Sequence, residues 1–479
     1  MRIYLLWLIV SILGCYSLKD WFKPVPFLIL MMPIYGNPDF PSGALGIQGL
    51  NPWNILLLIT ILSYLLQKNQ DASIWDMDNG VTLLLLFYVG IIIISTSRSL
   101  FDIQTLRDYG NTETSGQIFN EYLVNSIKFL IPAYMVFTGA RTESRRKLIL
   151  WAIIISHLYI AYVVIKGIPI SAVVDEKLLT RLGLKILEKT FSWSKVNTAM
   201  LLSGGAWAIL FATPYLIKKK HKLASFISII LFILTSFSLA LTGGRMGYVV
   251  WIILALLFSL MRWKKGLLLL PLLAATVISI LPSVNDRFFQ GISTDNSDIT
   301  IEDSYQMTSG RTDAWPVVID RIGRSPLIGY GALSMIRTGA RTEVNEKLNV
   351  TEGERGFPHP HNAYLWLLLD TGILGTVPIL LFWMIVLYRS KKLCGTAGSE
   401  SDAIGVTSLT TSLAFLLAGI GSQNFYPTHG AIAMWAAIAL AFRLYTDREK
   451  NFKTILISRL PSCSSAPLHM NVEKTRLND

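Results

Sequence analysis

The chain has 479 residues, 52% of them hydrophobic and 15% charged, with a formal net charge of +12. Its apolar residues gather in blocks of about 15 to 25 rather than in the short alternating runs of a soluble core, which excludes a water-soluble globular enzyme and indicates a polytopic membrane protein. Lys and Arg stand in short clusters between those blocks, the pattern of the positive-inside bias, and this argues against a nucleic-acid partner.

In chain order the apolar blocks lie near residues 3–17, 24–35, 53–66, 80–97, 121–139, 148–165, 197–216, 223–241, 246–261, 266–281, 361–388, 403–421 and 428–444. They predict an all-α protein with about 12 or 13 transmembrane helices, the first two short enough to be half-spanning or merged. The opening MRIYLLWLIVSILGCYS resembles a signal peptide, but with so many spans behind it a first membrane helix is the simpler reading. Cys15, Cys394 and Cys463 have no metal-ligand spacing and imply neither a zinc site nor a disulfide framework.

Basic connectors at 141–147, 218–222, 262–265, 389–392 and 443–453 all fall on one side if every block crosses, and that side is expected to be cytoplasmic. Three longer connectors, 98–120, 166–196 and 282–360, then face outward. In the last, SGRTDAWPVVIDRIGRSPLIGYG predicts an amphipathic helix over 311–323, with Trp315, Val318, Ile319 and Ile322 on its apolar stripe and a stop at Ser325, Pro326 and Gly329. The predicted organisation is therefore residues 1–281 as membrane helices, 282–360 as a large outer loop, 361–444 as C-terminal membrane helices and 445–479 as a cytoplasmic tail.

Arg245, in LTGGRMGYVVW, stands in a tight outer turn against the positive-inside trend, which points to something anionic there rather than to snorkelling. Arg311 opens the predicted loop helix, and Arg321, Arg324, Arg337, Arg341 and Arg355 follow it. Residues 282–360 hold 8 Lys plus Arg against 11 Asp plus Glu, so the loop is no polybasic patch and any anion must be met by individual arginines. Arginine suits phosphate because its planar fork makes paired hydrogen bonds.

His359 and His361 close the same loop in FPHPHNAYLW, where an imidazole can take a proton from a hydroxyl. Pro358 and Pro360 are expected to keep the approach to His361 extended. The DMD triplet at 76–78 falls on the cytoplasmic side and is not read as a metal site. His157, Lys128 and Asp370 are polar residues inside apolar blocks, each able to line a cavity or to be satisfied within the bundle. No Walker loop, GxSxG elbow or HExxH is present.

HNAYLWLLLDTGILG (361–375), with its His-Asn start and Gly-x-x-Gly end, resembles the signature of bacterial O-antigen ligases and related O-antigen polymerases. Arg245, the SGRTDAW and SPLIGYG segments around Arg311, and WSKVNTAMLL with Asn197 are similar to further landmarks of that superfamily, over roughly residues 190–440. The resemblance implies a GT-C-like glycosyltransferase of the bacterial inner membrane with its active site facing the periplasm. It would move a glycan from a polyprenyl-diphosphate carrier to a glycan, lipid A core or protein acceptor among membrane lipids, without metal, nucleotide or other cofactor, and with inversion. His361 would be the base and Arg245 and Arg311 the diphosphate ligands, with His359, Asn362, Arg341, Arg355 and Asn197 as accessory candidates. A polymerase extending the lipid-linked chain is the nearest alternative, and a polysaccharide or lipid transporter a more distant one.

Overall fold

In the computed structural model, residues 2–44, 46–68, 75–169, 171–172, 176–217, 221–262, 264, 311–348, 359–421 and 424–459 are described. Apolar blocks become helices and break where proline or glycine interrupts them. Helix α1 (Arg2–Ser17) leads to the short pair α2 (Val25–Leu30) and α3 (Met32–Tyr35), a small antiparallel hairpin of β1 (Gly43–Ala44) and β2 (Ile47–Gln48), and α4 (Pro52–Gln67). Helix α5 (Asn79–Phe101) is followed by α6 (Ile103–Asp108), α7 (Ser115–Ile118), a π turn (Phe119–Val124), α8 (Asn125–Lys128) and α9 (Ile131–Gly139). Next come α10 (Glu143–Gly167), α11 (Glu176–Phe191), α12 (Lys195–Ile217), α13 (His221–Leu241) and α14 (Arg245–Arg262). The C-terminal part holds α15 (Arg311–Arg324), α16 (Ser334–Arg337), α17 (Ala340–Lys347), α18 (Ala363–Leu393), α19 (Glu400–Gly419) and α20 (Ile432–Arg459).

Among the described residues 7 helices, α5, α10, α12, α13, α14, α18 and α19, are long and apolar enough to cross a membrane, and α1 and α4 are shorter apolar helices. The chain is an all-α polytopic membrane protein. The predicted block at 266–281, most of the loop before 311, and Arg355 lie outside the described residues. Block 24–35 divides into α2 and α3, and block 121–139 ends in α9. In α3 and α9 a proline, Pro33 or Pro132, sits in the first turn, where its missing N–H is no loss. One element was absent from the sequence reading. Connector 166–196, expected to be a loop, contains the 16-residue helix α11, whose Leu179, Leu187 and Phe191 are buried.

Burial ranks the helices. In α12 and α19, 83% of the apolar window is buried, against 28% in α5 and 33% in α13, so the first two form the centre and the others the rim. The glycine pair in LLSGGAW explains the packing. A Cβ at Gly204 would stand 3.1 Å from the Thr410 carbonyl and 3.0 Å from the Ala414 Cβ of α19, and one at Gly205 would overlap the His157 ring of α10. Small residues thus let three helices approach closely. His157 spends its Nδ1 on the Ile153 carbonyl, 2.8 Å away. Lys128 bonds the Tyr35 hydroxyl at 3.1 Å and lies over the Phe129 ring.

Four of the basic connectors, 141–147, 262–265, 389–392 and 443–453, meet at one end of the bundle, tied to carboxylates. Asp76 accepts from Arg443, from Lys450 at 2.6 Å and from Arg141 at 3.3 Å. Arg389 pairs with Asp78, Arg262 with Asp402, and Arg146 grips Glu400 at 2.8 and 3.0 Å. Burial alone would raise the Asp76 pKa, but hydrogen bonds from Arg443 and Lys450 outweigh it and hold the carboxyl below its usual range. The DMD aspartates are therefore ion-pair partners of the basic connectors.

Candidate active site

The site lies at the opposite end of the bundle and is organised by a break in α18. Gly372 has φ +62° and ψ −171°, a conformation open only to glycine, so the helix there changes course. The break leaves the N–H groups of Ile373 and Leu374 without their usual partners, the carbonyls of Leu369 and Asp370. The segment 325–331, SPLIGYG, supplies replacements. Ile373 and Leu374 donate to the carbonyls of Pro326 (2.8 Å) and Leu327 (3.1 Å), while Tyr330 and Gly331 donate to those of Leu369 (2.9 Å) and Asp370 (2.7 Å). A Cβ at Gly372 would overlap the Leu327 carbonyl, so the first glycine of the Gly-x-x-Gly pair makes both the break and the room for the inserted strand.

This joint fixes α15 beside α18. Ala314, Val317 and Val318 of α15 are buried against Met335, Val344 and Leu369, with Trp315 and Ile322 packed at the edge. The predicted helix over 311–323 is observed as Arg311–Arg324. Its stripe differs by a small rotation: Ile319, expected inside, is 56% exposed, and Val317 takes its place. At the other end of the helix the Trp315 indole N–H donates to the Pro360 carbonyl at 3.0 Å. Arg311 and the histidine pair are thus carried by one unit, pinned at two points.

His361 has φ +51°, so its backbone is left-handed rather than extended as the flanking prolines suggested. Histidine tolerates that region better than most residues, though at a cost of about 1–3 kcal/mol. Its N–H donates to Nδ1 of His359 at 3.3 Å, which makes His359 the tautomer protonated at Nε2. The two rings are 4.3 Å apart between centroids, and His359 stacks on Trp366 at 5.0 Å and 11°. Burial, then His359, then the charge of Arg311 push the His361 pKa down to about 3, and burial pushes His359 down to about 4. Both imidazoles are neutral at pH 7.

Asn362 is the N-cap of α18, its side-chain oxygen accepting from the N–H groups of Tyr364 (3.0 Å) and Leu365 (3.2 Å). That is a structural task for this accessory candidate. Arg311 donates through Nη2 to the Gly421 carbonyl at 2.8 Å, and its Nε is buried with no partner among the described residues. Burial lowers the Arg311 pKa from the usual value. Arg245 begins α14, and Met246 next to it packs on Gly421, the residue that Arg311 grips. Gly244 and Gly247 sit against Ala199 of α12, two residues from Asn197. The start of α14 at Arg245 is thereby brought to the Gly421 turn that Arg311 grips, while Asn197 shares a cavity wall with His359. Arg337 is committed elsewhere, to Asp102 at 2.9 Å. Arg341 lies half-buried on α17.

Below His359 is a cavity of about 200 Å³ between α12, α18, α19 and the connector at 424–431. Asn197 lines one wall and His359 another, while Asn424, Tyr426 and Thr428 come from the connector. The sequence reading missed that connector and began an apolar block inside it, although Asn424, Pro427 and Thr428 mark a polar break between two helices. It also missed the bond that steadies the wall. The Tyr426 hydroxyl donates to Asp370 at 3.0 Å and shares a 2.7 Å bond with Ser95, while Ser334 donates to the other oxygen of Asp370. Asp370 is thereby satisfied within the bundle.

Residues 230–380 match a family model described as O-Antigen ligase, a span that contains Arg245, Arg311, His359, His361 and the Gly372 break. No curated protein matches the chain.

Proposed function

The chain is a member of the O-antigen ligase superfamily, and from that premise we propose that it transfers a glycan from a polyprenyl-diphosphate carrier to an acceptor hydroxyl at the periplasmic face of a bacterial inner membrane. One observation carries the reading. A half-buried arginine, Arg311, meets a backbone carbonyl but no carboxylate among the described residues, and its charge acts on the neutral imidazole of His361. A cation taken partly out of water with no counter-ion, beside a neutral base, is a place suited to an anion, because an unpaired charge is costly to bury.

In this mechanism His361 takes the proton of the acceptor hydroxyl as its oxygen bonds to the anomeric carbon. The bond from that carbon to the diphosphate oxygen breaks, and the electron pair leaves on the diphosphate. Arg245 and Arg311 oppose the charge that develops, and a single displacement inverts the anomeric centre. Diphosphate bound at Arg311 also offsets the positive charge that helps to keep the His361 pKa low. Donor binding thus makes the base stronger where it is needed.

The test is transfer by the purified protein from a polyprenyl-diphosphate-linked glycan. His361→Ala should lose about 10²–10⁴-fold in rate, and His359→Ala should lose less. Equal losses would assign the proton to the wrong histidine, and an active His361→Ala protein would sink the mechanism. Growth of lipid-linked chains with no other acceptor present would identify the polymerase form of the same chemistry. Donor translocation without any transfer would favour a transporter.

A further inference from the structure

The arginines and the cavity at this end differ in chemistry. Arg311 and Arg245 do not line the cavity, and among the described residues no charged side chain does. The polar lining consists of Ser194, Asn197, Asn424, Tyr426, Thr428 and the neutral His359, beside apolar residues that include Met200 and Trp435. Amides and hydroxyls offer both donors and acceptors at short reach, while the apolar residues suit the C–H face of a ring. The volume of about 200 Å³ is many times the roughly 10–15 Å³ that one water needs. Among the described residues that line it, a diphosphate in this space would meet no cation.

We propose that this cavity is the acceptor subsite, built for an uncharged pyranose ring whose hydroxyls bond Asn197, Asn424 and Thr428 and whose nucleophilic oxygen is presented to His361. The inference rests on the function proposed above and names the substrate class of the same site. A single displacement requires acceptor and leaving group on opposite faces of the anomeric carbon. His359 lines the neutral cavity, and His361, its ring centroid 4.3 Å away, feels the charge of Arg311, so the histidine pair joins the cavity to the arginine. The wall is preorganised: Tyr426 is held by Ser95 and Asp370, the Phe425 carbonyl accepts from the Tyr88 hydroxyl at 2.5 Å, and His429 accepts from the Trp193 indole at 2.6 Å. Little ordering is left for the ligand to impose.

The experiment uses the full chain in nanodiscs with two probes, a panel of methyl hexopyranosides and inorganic pyrophosphate, both read by ligand-observed NMR titration. Asn424→Ala and Thr428→Val should weaken the best methyl glycoside by at least about tenfold while leaving pyrophosphate within about twofold. Arg311→Gln should do the reverse. The subsite is overturned if no glycoside in the panel binds the wild type, if both cavity variants leave glycoside binding unchanged, or if they weaken the two probes equally. Pyrophosphate binding that survives Arg311→Gln would sink the diphosphate reading alone. In the transfer assay the cavity variants should raise the KM for acceptor and not for donor, and a rise confined to donor would contradict the acceptor assignment.

Discussion

Arginine plays opposite parts at the two ends of this bundle. At the basic end Arg146, Arg262, Arg389 and Arg443 each face a carboxylate, and Arg443, fully buried, shares Asp76 with Lys450 and adds Asp447. At the other end Arg311 meets a backbone carbonyl and, among the described residues, no carboxylate. A cation neutralised within the chain holds helices together. One left without a counter-charge is available to an anionic ligand, so the surroundings of an arginine separate the two roles.

The largest expected effect tests the first half of that contrast. Arg443→Met leaves Asp76 with a buried partner missing and should destabilise the protein by about 3–5 kcal/mol, read as a fall in Tm in detergent and in folded yield. A Tm equal to wild type would mean that the basic end is not held by its ion pairs. Gly372→Ala is expected to come next, with a loss of about 1–3 kcal/mol from the forced positive φ and a further loss from overlap with Leu327. Limited proteolysis of the 325–331 segment should quicken in that variant, since its four backbone bonds depend on the break.

Smaller still is Arg245→Lys, which keeps the charge but loses the paired geometry, and for which about a tenfold loss of transfer at unchanged Tm is expected. Activity near wild type would show that Arg245 only snorkels. The smallest effect is on acid stability. His359 and His361 have folded pKa values of about 4 and 3, below the ordinary value near 6.5. The unfolded chain therefore binds protons first as pH falls, and the histidine contribution is intact above about pH 6.5 and lost progressively toward pH 4. A His359→Gln, His361→Gln protein should show a flatter Tm profile across that window, and an unchanged profile would mean that the pair is solvated.

Much of this architecture is legible in the chain, because a membrane helix announces itself by length and hydropathy and the basic connectors by charge. The Gly-x-x-Gly after HNAYLWLLLDT was visible, but its purpose was not. Only the paired backbone of 325–331 against Leu369–Leu374 explains why a helix must break there. Helix α11 escaped because its amphipathic face alternates with charges and never forms a block. The α15 stripe was placed one residue off, since Trp315, Val318, Ile319 and Ile322 and the neighbouring face both fit a helical period. His361 and the two arginines were recognisable by residue type and place. Asn424, Tyr426 and Thr428 were not, because a cavity wall built from a connector leaves no periodic signal.

The central claim is that Arg311 is kept for the leaving diphosphate. Single-turnover transfer by purified wild type and Arg311→Gln tests it most directly, with Tm measured on the same samples. The account predicts a rate lower by about 10²–10³-fold with Tm at or above wild type, because a charge without a counter-ion has been removed. A rate within about threefold of wild type, or a loss of rate that merely follows a loss of fold, would contradict it.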